Sequence, residues 1–362
     1  MSVTQQVDLK NQNKLIILNF THIKMNNQRD KHHCHNFIKI GPVTGVKDTY
    51  YVSGGPGQDR TWYGAGRYVL GNAYKDHADN IINFKVRPDD VWVATYPRTG
   101  TTWTQEMTWL LANDLDYEGA KKSITYRYAF IEILGAMSLP EHKELEERQE
   151  TLFLDYRDMV EAPSPRFMKT HLPMSLLPPT ILTSKVVYVT RDPRNVAVSY
   201  YHHNRLFKVM GCTSDFKSYW DLFRQDLLLW SPFFAHTKEA WALRNHPNMM
   251  FLFYEDMAKD LPAVAKRVAK FLGKSYSDEQ ISKLCDHLKF DNMKVNTSTH
   301  PETKIYKRVI LTHVLYIYPL VFFSILGKLG GWEKYFDEEM KKQAQEYIED
   351  NLKDTDLRFP TL

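Results

Sequence analysis

Cysteine is scarce in this 362-residue chain, which holds only Cys34, Cys212 and Cys285. An odd, low count argues against a disulfide framework and for a reducing compartment. A strong charge of either sign is also missing. The formal net charge of +4 is too small for wholesale nucleic-acid binding, but it suits an anionic ligand held by a few placed cations. No secretory signal is visible: "KLIILNF" (Lys14–Phe20) is too short for an apolar signal core, and no small-residue cleavage site follows it. The expectations are a cytoplasmic location and unmodified sequons at Asn19 and Asn296. No repeat of useful length is present.

Residues 1–40 are rich in Asn, Gln, Lys and His with little periodicity, which predicts a poorly ordered tail. Within it, "HHCH" (His32–His35) has zinc-binding side-chain types, yet four adjacent residues do not easily surround one ion. A solvated loop is the expectation, and no metal site is read. Residues 41–362 are expected to form one domain. Its first part, Gly41–Gly71, is dominated by Gly and aromatic residues and reads as surface loop with short strands.

The texture then changes. "VWVATYP" (Val91–Pro97), "RFMKTHL" (Arg166–Leu172), "KVVYVTRD" (Lys185–Asp192) and "MMFLFYED" (Met249–Asp256) are short, apolar and β-prone, with helical patterns between them. Strands alternating with helices imply an α/β fold whose parallel sheet is covered on both faces. In such sheets ligands sit beyond the carboxyl ends of the strands.

The first strand runs into "PRTGTT" and then a helix beginning near Trp103. A helix N-terminus offers unpaired N–H groups and partial positive charge, so it favours an anion. Gly100 permits close backbone approach, Thr99, Thr101 and Thr102 carry hydroxyls, and Arg98 is a fixed cation. A capped helix after a tight turn reads the same way. The Gly-Lys-Ser/Thr ending of an ATP-binding loop is absent, which argues against an ordinary ATPase or kinase. A sulfuryl group, less charged than a terminal phosphoryl group, fits a loop of this kind without a metal.

The second strand ends "KTHLP", with Lys169 and His171 on one face of the strand. A cation beside an imidazole suits a reaction that removes a proton while negative charge develops. The third strand ends at Arg191, and Ser199 lies about two turns into the following helix, which Pro193 opens. That pair is placed to clamp a phosphate.

Taken together these stretches resemble the cytosolic sulfotransferases, which use 3′-phosphoadenosine 5′-phosphosulfate (PAPS). "TYPRTGTTW" is similar to the family's phosphosulfate loop, "KTHLP…LLP" to its catalytic strand and "YVTRDPRNVAVSYYH" to its 3′-phosphate motif. "LFYEDM" (Leu252–Met257) and "GGWEKYF" (Gly330–Phe336) match further landmarks. The resemblance implies a three-layer α/β/α fold around a mostly parallel sheet. It also implies sulfuryl transfer from PAPS to a hydroxyl or amine, with no metal.

By position, the resemblance makes His171 the general base; Arg98 would stabilise charge on the leaving phosphate, and Lys169 would contact the transferring group or the 5′-phosphate. Thr99, Gly100, Thr101 and Thr102 would cradle the 5′-phosphosulfate. Trp103 and Tyr254 would contact the adenine, and Arg191 with Ser199 would hold the 3′-phosphate. The acceptor site would draw on "YRYAFIE" (Tyr126–Glu132), His203 and "SPFFAH" (Ser231–His236). Phe130, Phe233 and Phe234 would make it aromatic, which favours phenols, steroids or other lipophilic alcohols. Arg98 departs from the family's usual Lys, keeping the charge with a different geometry.

A second departure is larger. Before Gly327 the family carries Arg-Lys; here Ile325 and Leu326 stand there. They end an apolar run, "VILTHVLYIYPLVFFSIL" (Val309–Leu326). A transmembrane helix, a buried or interfacial helix, and a non-native spliced stretch all fit this run. A charge-assisted hydrogen bond to phosphate contributes roughly 1.5–3 kcal/mol, so weakened PAPS binding is expected. Two rival functions therefore stand: a degenerate relative that binds ligand or membrane without catalysis, and a P-loop phosphotransferase. The expected assembly is a monomer or homodimer.

Overall fold

The computed structural model describes residues 35–40, 49–54, 67–71, 73–132, 156–206, 212–296, 298 and 331–361. Val309–Leu326 and the first residues of the "HHCH" run lie outside the described residues. Eight strands are labelled β1 (His35–Ile40), β2 (Thr49–Gly54), β3 (Arg67–Gly71), β4 (Val91–Thr95), β5 (Ala129–Phe130), β6 (Phe167–Thr170), β7 (Lys185–Thr190) and β8 (Met249–Phe253). The longer helices are α1 (Ala73–Ile82), α2 (Thr101–Ala112), α3 (Pro193–Leu206), α4 (Phe216–Arg224), α5 (Phe233–Ala242), α6 (Leu261–Phe271), α7 (Asp278–His287) and α8 (Glu338–Leu352).

The four apolar runs form β4, β6, β7 and β8, and every pairing in their sheet is parallel, in the order β5-β6-β4-β7-β8. The chain enters at the central strand, extends to one edge and then crosses β4 to the other. Successive residues of β7 point to opposite faces. Val186 and Tyr188 join one buried cluster with residues of α3, α4, α5 and α8, while Val187 and Val189 join another with α2, α6 and α7. The sheet is thus covered on both faces, which is why its strands read as unbroken apolar runs.

The first three strands form a separate antiparallel sheet, β1-β2-β3. The tail expected over residues 1–40 therefore gives way to a strand at His35, paired with Gly54. Nor is the Gly-aromatic segment only surface. Tyr68, Val69 and Leu70 are buried, and Val69 exchanges backbone hydrogen bonds with Trp230 and Ser231. Tyr68 donates its hydroxyl to the buried Glu239 at 2.7 Å, which ties β3 to α5.

Candidate functional site

The carboxyl ends of β4, β6 and β7 converge, as the strand order requires. The loop after β4 has two residues in the left-handed region, Arg98 (φ 72°) and Gly100 (φ 110°). Non-glycine residues adopt that conformation at some cost and tend to do so at functional sites. Gly100 is required twice over. Beyond its φ, a Cβ there would lie 2.7 Å from Cδ2 of Tyr254. Gly100 is also the cap of α2, and Thr104 N–H bonds its carbonyl.

The threonines of this loop divide. Thr99 is fully buried and its hydroxyl donates to the carbonyls of Tyr96 and Val189. This corrects the expectation that the Thr99 hydroxyl serves an anion, because its one proton is already used inside the fold. Thr101 shares a 2.7 Å hydrogen bond with Thr95. Thr102, half-buried, makes no side-chain hydrogen bond among the described residues.

His171 follows β6 directly and is 9% exposed. Its Nδ1 lies 2.9 Å from the Thr95 carbonyl oxygen and 3.0 Å from the Thr95 hydroxyl. A carbonyl only accepts, so Nδ1 carries the proton and Nε2 keeps its lone pair. Burial, and then the charge of Lys169, hold the imidazole well below its ordinary pKa. The ring is therefore neutral and available as a base at neutral pH.

Lys169 packs its ammonium 4.1 Å from the ring centre of Phe130. The same charge, together with Arg98, depresses His203, whose main perturbation is burial. Lys169 thus acts on both His171 and His203, and Arg98 on His203, which puts all four around one region. Arg98 Nε also donates to Ser199 on α3 at 3.2 Å, joining the loop to the helix after β7.

The second group surrounds Tyr254. The Arg191 guanidinium lies 4.2 Å from its ring centre and Trp103 lies 5.4 Å away edge-on. Trp103 is fixed by its indole N–H on the Leu288 carbonyl at 2.9 Å. Arg191 is buried, and its Nε has no hydrogen-bond partner among the described residues. A buried, incompletely bonded guanidinium calls for an acceptor. The aromatic faces of Tyr254 and Trp103 stand beside it.

Two assignments fall elsewhere. Phe233 and Phe234 are fully buried in the aromatic core, Phe233 against Tyr96 at 5.1 Å and Phe234 against Tyr347 at 5.1 Å. The rings that flank the His171 imidazole are Phe130 at 5.4 Å and Trp230 at 5.6 Å, both edge-on. Trp230 sits in the left-handed region at φ 65°, just before α5. Thr95, Glu132, Trp230 and His236 were not singled out from the sequence. Thr95, Glu132 and His236 lie inside stretches marked for other reasons, and nothing in composition separates them from core residues.

Comparison with known proteins places the chain among its relatives. The family model described as a sulfotransferase domain matches residues 88–356. Luciferin sulfotransferase of Photinus pyralis is 36% identical over 246 residues, 66% of each chain. Sulfotransferase 1C2 of Rattus norvegicus is 31% identical over 287 residues, 78% of this chain and 90% of its own. Among solved structures, retinol dehydratase in complex with androsterone and the inactive cofactor PAP shares 40% identity. It aligns over 87% of this chain and 92% of its own, with a TM-score of 0.71. The matched model spans most of the chain, and on that ground this protein belongs to the sulfotransferase family.

Proposed function

We propose that this chain moves a sulfuryl group from PAPS to a hydroxyl of a small lipophilic acceptor, phenolic or steroid-like, with His171 as general base. One observation carries the reading. His171 presents a neutral Nε2 between two aromatic rings, and one threonine, Thr95, links its Nδ1 to Thr101, where the phosphosulfate loop enters α2.

PAPS supplies the activated sulfuryl group. Arg191 and Ser199 suit its 3′-phosphate, Tyr254 and Trp103 its adenine, and Gly100, Thr101 and Thr102 its 5′ end. Arg98 contributes a fixed cation beside Ser199, and Lys169 a second beside His171. A neutral hydroxyl attacks poorly, so Nε2 of His171 would accept its proton as the oxygen bonds to sulfur and the bond from sulfur to the 5′-phosphate oxygen breaks, releasing adenosine 3′,5′-bisphosphate. The two cations offset the charge that develops opposite. Phe130, His203 and Trp230 border the imidazole and suit an apolar acceptor. Retinol dehydratase was solved with androsterone in one structure and with retinol in a second, and both are lipophilic alcohols.

Radiolabelled sulfate transfer to a panel of phenols and steroids tests the reading. PAPS-dependent product is expected, and ATP with magnesium is expected to give none. A protein that binds the panel but transfers nothing would point to a degenerate relative.

A further inference from the structure

His171 is held at three points. Thr95 holds its ring Nδ1. His236 donates from Nε2 to its backbone carbonyl at 2.9 Å, and His236 is itself fixed by the Tyr188 hydroxyl on Nδ1 at 2.7 Å. The third point is its backbone N–H, which Oε1 of Glu132 accepts.

This last contact has a topological cause. β5 and β6 pair in parallel through Phe130 and Lys169, and Ile131 N–H still reaches the Lys169 carbonyl. There the ladder stops. His171 N–H, the next donor on β6, meets the Glu132 side chain where a backbone carbonyl would otherwise stand. Glu132 is 1% exposed, and its Oε2 is buried with no partner among the described residues. A carboxylate with an unbonded buried oxygen is costly. An amide would accept the same hydrogen bond without a charge.

We propose that Glu132 is a positioning residue for the base: its carboxylate locks the main chain of His171 and so sets where Nε2 meets the acceptor hydroxyl. This inference rests on the function proposed above. Burial raises Glu132 to about 7, against the hydrogen bond from His171 N–H and the charge of Lys169. Lys169 is the charged group acting on it, and His171, backed by His236, is the neighbouring titratable one. His171 itself titrates well below its ordinary range. An acid limb of kcat that depends on this carboxyl should vanish when Glu132 becomes an amide.

The test compares Glu132→Ala and Glu132→Gln with wild type in kcat, acceptor KM, affinity for adenosine 3′,5′-bisphosphate, and the pH profile of kcat. Glu132→Ala is expected to lose about tenfold or more in kcat, since small misplacements of a reacting group are costly. Nucleotide affinity should hold. Glu132→Gln should fall between the two and lose the acid limb, because it accepts the hydrogen bond but does not titrate. An unchanged kcat in Glu132→Ala overturns the inference. So does a wild-type acid limb retained in Glu132→Gln, which decides the matter even where Glu132→Ala fails to fold. A wild-type protein that transfers no sulfate would instead refute the function on which the inference rests.

Discussion

Arg98 and Ser199, 101 positions apart in sequence, are joined by a hydrogen bond from Nε to Oγ at 3.2 Å. The bond ties the phosphosulfate loop to the helix that carries the expected 3′-phosphate contacts. Replacing Arg98 by Lys keeps the charge but removes the planar, multi-donor head. Arg98→Lys is expected to retain transfer with altered kcat and PAPS KM. Arg98→Ala should lose about ten- to a hundredfold in kcat/KM, the scale of one charge-assisted hydrogen bond. Initial-rate kinetics on the three proteins check this.

Gly100→Ala is expected to impair both folding and nucleotide binding. Its φ of 110° disfavours any side chain, and the new Cβ would press on Tyr254. Such backbone strain costs about 1–3 kcal/mol. A lower melting temperature and weaker nucleotide binding should appear together. Pairing the change with Tyr254→Leu should recover only part of the loss, because φ stays unfavourable.

Nucleotide affinity is a direct reading of the departures at the C-terminal end. Arg191→Ala should weaken binding of adenosine 3′,5′-bisphosphate by about ten- to a hundredfold, by calorimetric titration. With Ile325 and Leu326 in place of Arg-Lys, the wild-type dissociation constant is expected above the micromolar range. Micromolar or tighter binding would mean that other groups supply the grip.

Stability should depend on pH through His236. Burial holds it neutral, with its pKa lowered to about 4 from the ordinary 6.5. The unfolded chain takes up a proton below about pH 6.5 and the folded one does not. The contribution of His236 is therefore complete above that value and is lost as pH falls toward about 4. It amounts to at most about 3 kcal/mol. Buried carboxylates such as Glu132 and Glu239, both raised to about 7, act in the opposite sense. They are common to wild type and His236→Asn, so they cancel in the difference. Urea unfolding should show the stability difference between the two proteins changing in favour of wild type as pH rises from about 4.5 to 7.

Much of this fold was legible because the central strands are covered on both faces and so read as apolar runs. β5 was not, since Ala129–Phe130 is too short for a period. The strand β1 was missed for another reason: its partner β2 lies across a segment whose composition suggested loop. The candidate site residues stood out because strand ends in a parallel sheet are few, and those of β6 and β7 carry Lys169, His171 and Arg191. Which aromatics face the base was not legible. Phe233 and Phe234 pack into the core while Trp230 flanks the imidazole, and an aromatic run reads the same in either place. The supports of His171 were hidden because Thr95, Glu132 and His236 reach it through tertiary contacts alone.

The central claim is that Nε2 of His171 takes the acceptor's proton during sulfuryl transfer. The most direct test measures radiolabelled transfer by His171→Ala beside its affinity for adenosine 3′,5′-bisphosphate. Transfer abolished with nucleotide affinity intact is the predicted result; transfer at the wild-type rate would contradict it.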